Sequence, residues 1–277
     1  MDYREKYGDW ALVLGGSEGL GRAMARELAA RGMSVALAAR RTGPLEETAA
    51  AITAEYGVAT KTMALDLSRD HVVEAIEEGM EGEEVAFIAY NAASEPYGEF
   101  VELGLEEHER NLAVNVIAPT RIVHHFGRRM VERTRGGIVL CCSLASSNGL
   151  YMWVAYGASK AYMHIMGEGI WYELGQHGVD ACAFMIGTTW TDNFQRTQER
   201  LGGIYAKGRV PDDLPPEMAV PQLPEEAAGN LFTQLDEEWL PLVYANPQDE
   251  KRVKMMQAAD KAELIRMAAQ GQRDWYR

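Results

Sequence analysis

Three cysteines in 277 residues are too few to staple a fold. Cys141 and Cys142 are adjacent, Cys182 makes an odd third, and all three lie in apolar runs that read as strands. That is a poor disulfide framework, and a reduced, cytoplasmic setting is expected. Positive charge is scarce too: 27 Lys and Arg stand against 41 Asp and Glu, a formal charge of −14. Phosphate contact needs clustered Lys and Arg, so no nucleic-acid partner is expected. No apolar run approaches the roughly 20 residues of a membrane span, so none is expected to cross a bilayer. The opening Met1-Asp2-Tyr3-Arg4-Glu5-Lys6 is charged and leads into no long apolar stretch, which argues against a secretory leader. What remains is a chain that is 47% apolar, without internal repeat, low-complexity tract or linker, and long enough for one domain over 1–277 with a full core.

Short apolar runs alternate with longer amphipathic ones. Strands are expected at Trp10–Leu14, Val35–Ala39, Thr62–Leu65, Val85–Tyr90, Ile138–Cys142 and Val179–Ile186. Helices are expected over Glu18–Ala30, Leu45–Tyr56, Asp70–Gly79 and Leu105–Glu132, and from the Tyr156 region to Leu174. Near-continuous apolar strands in a βαβα order predict an α/β fold, a parallel sheet covered by helices on both faces. Beyond Ile186 the rhythm breaks. Gly202-Gly203 and Pro211, Pro215, Pro216, Pro221 and Pro224 read as a mobile lid over about 192–224. Pro224-Glu225-Glu226 then opens a helix, Leu240–Tyr244 a seventh, edge-like strand, and about 249–270 a single charged C-terminal helix. That last helix suits either a solvent-facing tail or packing in an oligomer.

Chemistry first shows in Gly15-x-x-x-Gly19-x-Gly21, which stands between a strand and a helix. Glycine there permits a tight turn and lets a pyrophosphate approach the amides of the helix N-terminus. Ser17, Glu18 and Leu20, within the same loop, are expected beside the cofactor. After the second strand comes Ala39-Arg40-Arg41, where an Asp or Glu would select NAD through the ribose hydroxyl. Two guanidiniums instead suit the 2′-phosphate of NADP(H). Glu18 speaks against this, because a carboxylate turned inward would repel that phosphate. Tyr156 and Lys160 lie four residues apart and so on one helix face. An ammonium beside a phenol can hold it partly ionised and make it an acid or base. His124-His125 carries no metal pattern, since adjacent helix residues point apart and no ligand stands at the right spacing.

In register, these motifs resemble the short-chain dehydrogenase/reductase family from Trp10 to about Asn193. The glycine loop is similar to the family's T-G-x-x-x-G-x-G, with Leu14 in place of Thr. Asp66-Leu67 matches the adenine-contacting position, and Asn91-Ala92 the segment beside the adenosine ribose. Asn115, Ser143, Tyr156 and Lys160 match the catalytic tetrad. Gly187-Thr188-Thr189-Trp190-Thr191 matches the nicotinamide-contacting stretch, with Ile186 for the usual Pro and Thr189 and Thr191 as contacts. The resemblance implies a Rossmann-type doubly wound sheet and a dimer or tetramer. It implies Tyr156 as the proton donor or acceptor, and Ser143 as hydrogen-bond donor to the substrate oxygen. Lys160 would lower the Tyr156 pKa and hold the ribose, and Asn115 would anchor a water leading to Lys160. Tyr151, Met152, Trp153, Trp190 and Phe194 fall where family members line the substrate pocket, although plain packing accounts for them equally well.

A narrower resemblance joins Arg4-Glu5-Lys6-Tyr7-Gly8, Leu14, Arg40-Arg41 and Gly187-Thr188-Thr189 to bacterial NADP-dependent 7β-hydroxysteroid dehydrogenases. It implies a small apolar alcohol or ketone, a hydroxysteroid or bile acid, as substrate. Two alternatives stand beside it: reduction of a carrier-bound 3-oxoacyl chain, and a non-catalytic NADP-binding sensor.

Overall fold

A computed structural model describes residues 1–208, 210 and 220–275. Its elements run α1 (Tyr3–Tyr7), β1 (Trp10–Leu14), α2 (Gly19–Ala30), β2 (Ser34–Ala39), α3 (Thr42–Tyr56) and β3 (Thr60–Ala64). Next come α4 (Val72–Met80), β4 (Val85–Tyr90), α5 (Leu105–Leu112), α6 (Ala118–Glu132) and β5 (Gly136–Cys141). The chain continues through α7 (Val154–Gly175), β6 (Val179–Met185), α8 (Asp192–Leu201), α9 (Pro224–Glu237), β7 (Leu242–Tyr244), α10 (Pro247–Ala258) and α11 (Lys261–Trp275).

The seven strands form one sheet in the order β3-β2-β1-β4-β5-β6-β7, with every neighbouring pair parallel. Strand residues alternate between two cores, as a sheet buried on both faces requires. Ala11 and Val13 point to one side, where Tyr3, Tyr7, Leu28, Ile52, Leu231 and Phe232 close over them. Leu12 and Leu14 point to the other, against Ile76, Ile122, Phe126 and Met163. The fold is therefore Rossmann-like, and strand order reverses direction between β1 and β4. Such a switch point opens a crevice at the strands' C-terminal ends.

Two expectations are corrected. The run Leu105–Glu132 is not one uniform helix: a π-helical turn, Ala113–Ile117, joins α5 to α6 and carries Asn115. The expected C-terminal helix is two. Ala259 is extended, and the Asp260 carboxylate accepts from the Glu263 amide at 2.9 Å, starting α11 afresh. The stretch after β6 opens with a ten-residue helix, α8, capped by the Thr191 hydroxyl accepting from the Phe194 amide. Pro211, Pro215 and Pro216 of the expected lid lie outside the described residues. Helix α1 has no counterpart in the sequence reading, because its 5 residues are too short for any periodicity.

Candidate active site

One cleft of about 870 Å³ runs along the C-terminal ends of the strands. Gly15 lines it after β1, Arg40 and Arg41 after β2, Asp66 and Leu67 after β3, and Asn91 and Ala92 after β4. Ser143 lines it after β5, Thr189 and Thr191 after β6, and Tyr156 and Lys160 from α7. Ser17, Glu18, Gly19 and Leu20 share the same wall. Gly21 does not, because it faces inward: a Cβ there would lie 1.9 Å from the Gly15 carbonyl oxygen, so only glycine closes this turn.

Tyr156 and Lys160 project together from α7, and the ammonium lies 5.9 Å from the centre of the phenol ring. Lys160 is buried, and its Nζ donates to the Cys141 carbonyl at 2.8 Å, which locks the side chain onto the end of β5. Burial pushes the Tyr156 pKa up, the charge of Glu95 adds to this, and a hydrogen bond from Ser143 acts against it. The Tyr156 pKa thus lies above its ordinary value rather than below it, since burial penalises the phenolate first. Burial likewise pulls the Lys160 pKa down.

Asn115 is fully buried and makes three hydrogen bonds to two residues. Its Oδ1 accepts from the Ser94 amide at 2.8 Å, and its Nδ2 donates to the Ser94 carbonyl at 2.9 Å and to the Ser159 hydroxyl at 2.9 Å. Ser159 in turn donates to the Tyr156 carbonyl at 2.8 Å. The π-helical turn thus ties the loop after β4 to the helix that carries Tyr156. Ser143 caps a short 3₁₀ turn, Leu144–Ser146, by accepting from the Ala145 amide at 3.2 Å.

Several residues at the site carry no motif that would have announced them. Glu95 lines the cleft beside Tyr156; burial raises its pKa, against the opposing influence of Lys160, the Trp153 indole and Arg200. Arg110 reaches Asp66 with contacts of 3.1 to 3.3 Å. Burial opposes ionisation of Asp66, but bonds from the Ser68 amide and from Arg110 win and hold its pKa at about 2. Arg196, from α8, pairs with Glu18, which also pairs with Arg41. Asp249 is buried and accepts from the Gly187 amide at 3.0 Å, steadying the segment that leads to Thr189. Each of these is a charged residue brought in from an element remote in sequence.

Of the expected pocket residues, Trp153 and Phe194 line the cleft, joined by Leu144, Leu150 and Tyr205. Tyr151, Met152 and Trp190 do not. The Tyr151 hydroxyl donates to Glu99 at 2.8 Å. Met152 is a turn residue with φ of 64°, whose carbonyl accepts from the Gly98 amide. Trp190 packs edge-on against Phe194 and Tyr205, behind the wall. His125, on α6, bonds Glu77 at 2.9 Å.

The cleft fits a dinucleotide. It is long enough to join Arg40 and Arg41 at one end to Ser143 and Tyr156 at the other. Between them, the first amides of α2 have no side-chain cap, because the Glu18 carboxylate turns aside to the two arginines. Uncapped amides at a helix N-terminus suit an anion such as a pyrophosphate.

A family model for short chain dehydrogenases matches residues 9–202. The chain is a short-chain dehydrogenase/reductase. This dehydrogenase is 32% identical over 265 residues to the 7β-hydroxysteroid dehydrogenase of Clostridium sardiniense, a match spanning 96% of each chain. It is 31% identical over 238 residues to the 7β-hydroxysteroid dehydrogenase of Collinsella aerofaciens, covering 86% of this chain and 87% of that one. A solved structure from work on 7β-hydroxysteroid dehydrogenase stereoselectivity superposes with a TM-score of 0.85 at 30% identity, over 97% of this chain and 99% of the other. An NADPH complex of a short-chain dehydrogenase from Sphingobium yanoikuyae superposes with a TM-score of 0.73 at 25% identity, over 92% and 97%. The dehydrogenase is therefore an oxidoreductase of CH–OH groups, in a family that uses a nicotinamide cofactor. Among the described residues no helix is long and apolar enough to cross a membrane.

Proposed function

We propose that this dehydrogenase uses NADP(H) to interconvert a secondary alcohol and a ketone on a hydroxysteroid or bile acid. The observation that carries this is the single cleft with Arg40 and Arg41 at one end and Ser143, Tyr156 and Lys160 at the other. A bound nicotinamide supplies or accepts the hydride. The protein's own residues handle the proton and the developing charge. Tyr156 Oη gives a proton to the carbonyl oxygen in reduction and takes it from the hydroxyl in oxidation. Ser143 Oγ donates a hydrogen bond to that oxygen, where negative charge builds up. Lys160, fixed by the Cys141 carbonyl, lies near the phenol and would bond the ribose hydroxyls. Asn115 holds the loop and helix in register, and Asp66 and Leu67 receive the adenine.

Trp153, Leu150, Phe194 and Tyr205 give the substrate end an apolar, aromatic wall suited to a fused-ring body. The hydroxysteroid relatives support this substrate class. Helix α8, which lies beside the cleft, serves as the described part of the lid. We place the protein in the cytoplasm, as a homodimer or homotetramer; Cys141, Cys142 and Cys182 are free and buried, in keeping with a reduced setting.

The test follows NADPH absorbance against a panel of keto-steroids and simpler ketones. Turnover is expected on the steroids, and Tyr156→Phe should cut it by about a hundredfold or more. Tight NADPH binding with no turnover on any carbonyl would overturn the reading.

A further inference from the structure

Glu18 is the anomaly at the cofactor site: a carboxylate in the glycine loop of a cleft whose arginines suit a phosphate. Its surroundings resolve the conflict. The side chain is only 22% exposed and is gripped from two sides, by Arg41 after β2 and by Arg196 from α8. Arg196 Nη2 meets Oε1 and Nη1 lies 3.4 Å from Oε2, so the guanidinium faces both oxygens. Burial works against the charged carboxylate, but the two arginines more than offset it and hold the Glu18 pKa below its ordinary value. A second contact brings α8 to the same loop. Gly19, at φ +52°, sits so close to Thr191 that an added Cβ would lie 3.0 Å from the Thr191 side chain.

Charge counting shows what Arg196 adds. Arg40 makes no ion pair among the described residues, and with Arg41 and Glu18 alone the corner carries a net charge of +1. With Arg196 it carries +2, which matches a phosphomonoester of about −2. A 2′-phosphate drawn to Arg40 and Arg41 competes with Glu18 for Arg41. Without Arg196, Glu18 would then be left as an uncompensated carboxylate beside a dianion, which is costly in a half-buried site.

We propose that Arg196, on the lid helix, is a positioning residue for cofactor choice: by neutralising Glu18 it lets the glycine loop accept the 2′-phosphate. Recognition of the phosphorylated cofactor and seating of α8 on the glycine loop are then one event. The inference rests on the NADP(H) reading above and goes beyond it, since a cation from α8 acts together with those at the end of β2.

The experiment measures dissociation constants for NADPH and NADH, by fluorescence titration, on the full-length protein and its variants. Arg196→Ala should weaken NADPH binding by about three- to tenfold while leaving NADH nearly unchanged. Arg196→Lys, which keeps the charge, should retain most of the preference. In a Glu18→Gln background, where nothing needs neutralising, Arg196→Ala should no longer alter the ratio. Equal weakening of both cofactors by Arg196→Ala, or an undiminished effect in the Glu18→Gln background, would show a merely structural contact and overturn the proposal. If the wild type prefers NADPH and Arg41→Ala removes that preference while Arg196→Ala does not, this inference fails alone. A wild-type preference for NADH would overturn it together with the cofactor reading.

Discussion

Glu95 places a negative charge where Tyr156 has to ionise. Burial and this carboxylate both raise the phenol's pKa, and Ser143 works against them. The consequence can be signed. Alcohol oxidation needs Tyr156 as a base, so its rate climbs with pH through the Tyr156 pKa. Removing the Glu95 charge stabilises the phenolate and lowers that pKa. Glu95→Gln should therefore move the midpoint of the oxidation pH profile to lower pH. A midpoint that stays put, or rises, would remove Glu95 from the electrostatics of the site. At this same scale, the sequence signalled Ser143, Tyr156, Lys160 and Asn115 because their order and spacing repeat in a family. Glu95 and Arg196 belong to no such pattern, and only the chain's return to one cleft brings them there.

Helix α1 shows what an element can do that periodicity cannot announce. Its five residues bury Tyr3 and Tyr7 against Phe87, Phe232 and Trp239, with ring centroids 5.1 to 6.3 Å apart. The Tyr7 hydroxyl also donates to Asp180 at 2.8 Å, which joins the start of the chain to β6. Tyr7→Ala should cost about 3–5 kcal/mol, read as a lower urea midpoint, since a buried ring leaves a cavity. Tyr7→Phe, which loses only the hydroxyl bond, should cost about 1 kcal/mol. A cost below that for the alanine variant would mean that α1 does not dock as described. The π-helical turn is a second such case. The hydrophobic spacing from Leu105 to Glu132 satisfies a helix throughout, and the widened turn at Asn115 follows from its bonds to Ser94 and Ser159. Those partners are 21 and 44 residues away, beyond the reach of any local pattern.

Across the whole molecule, α7 presents an exposed stripe of Tyr162, Ile165 and Tyr172, with Gly169 between them open to space. Their spacing of three, four and three residues keeps them on one helix face. Leu112 and Ile117 add exposed apolar surface from the neighbouring α5 and π-helical turn. Burial of this face between copies is what the proposed oligomer predicts. Ile165, 63% exposed, is well placed to test it. Ile165→Glu should shift the protein toward monomer in light scattering, and more strongly at low salt, because the chain already carries −14. An unchanged oligomer would move the interface elsewhere.

What the amino-acid order determined by itself was everything with a short range or a recurring spacing. Strand and helix alternation, the glycine turn, the Tyr156–Lys160 pair and the basic end of β2 are written in neighbouring residues, because turn chemistry and periodic burial act locally. The tertiary structure decided matters that depend on remote groups meeting. Lys160 donates to Cys141, Asp249 steadies Gly187, and Arg110 grips Asp66. The sheet's switch point collects six strand ends into one cleft. Glu18, which in the linear chain argues against a phosphate, lies in the fold between Arg41 and Arg196. Charge acts through space over several ångströms, so the meaning of a carboxylate is set by what the fold brings beside it.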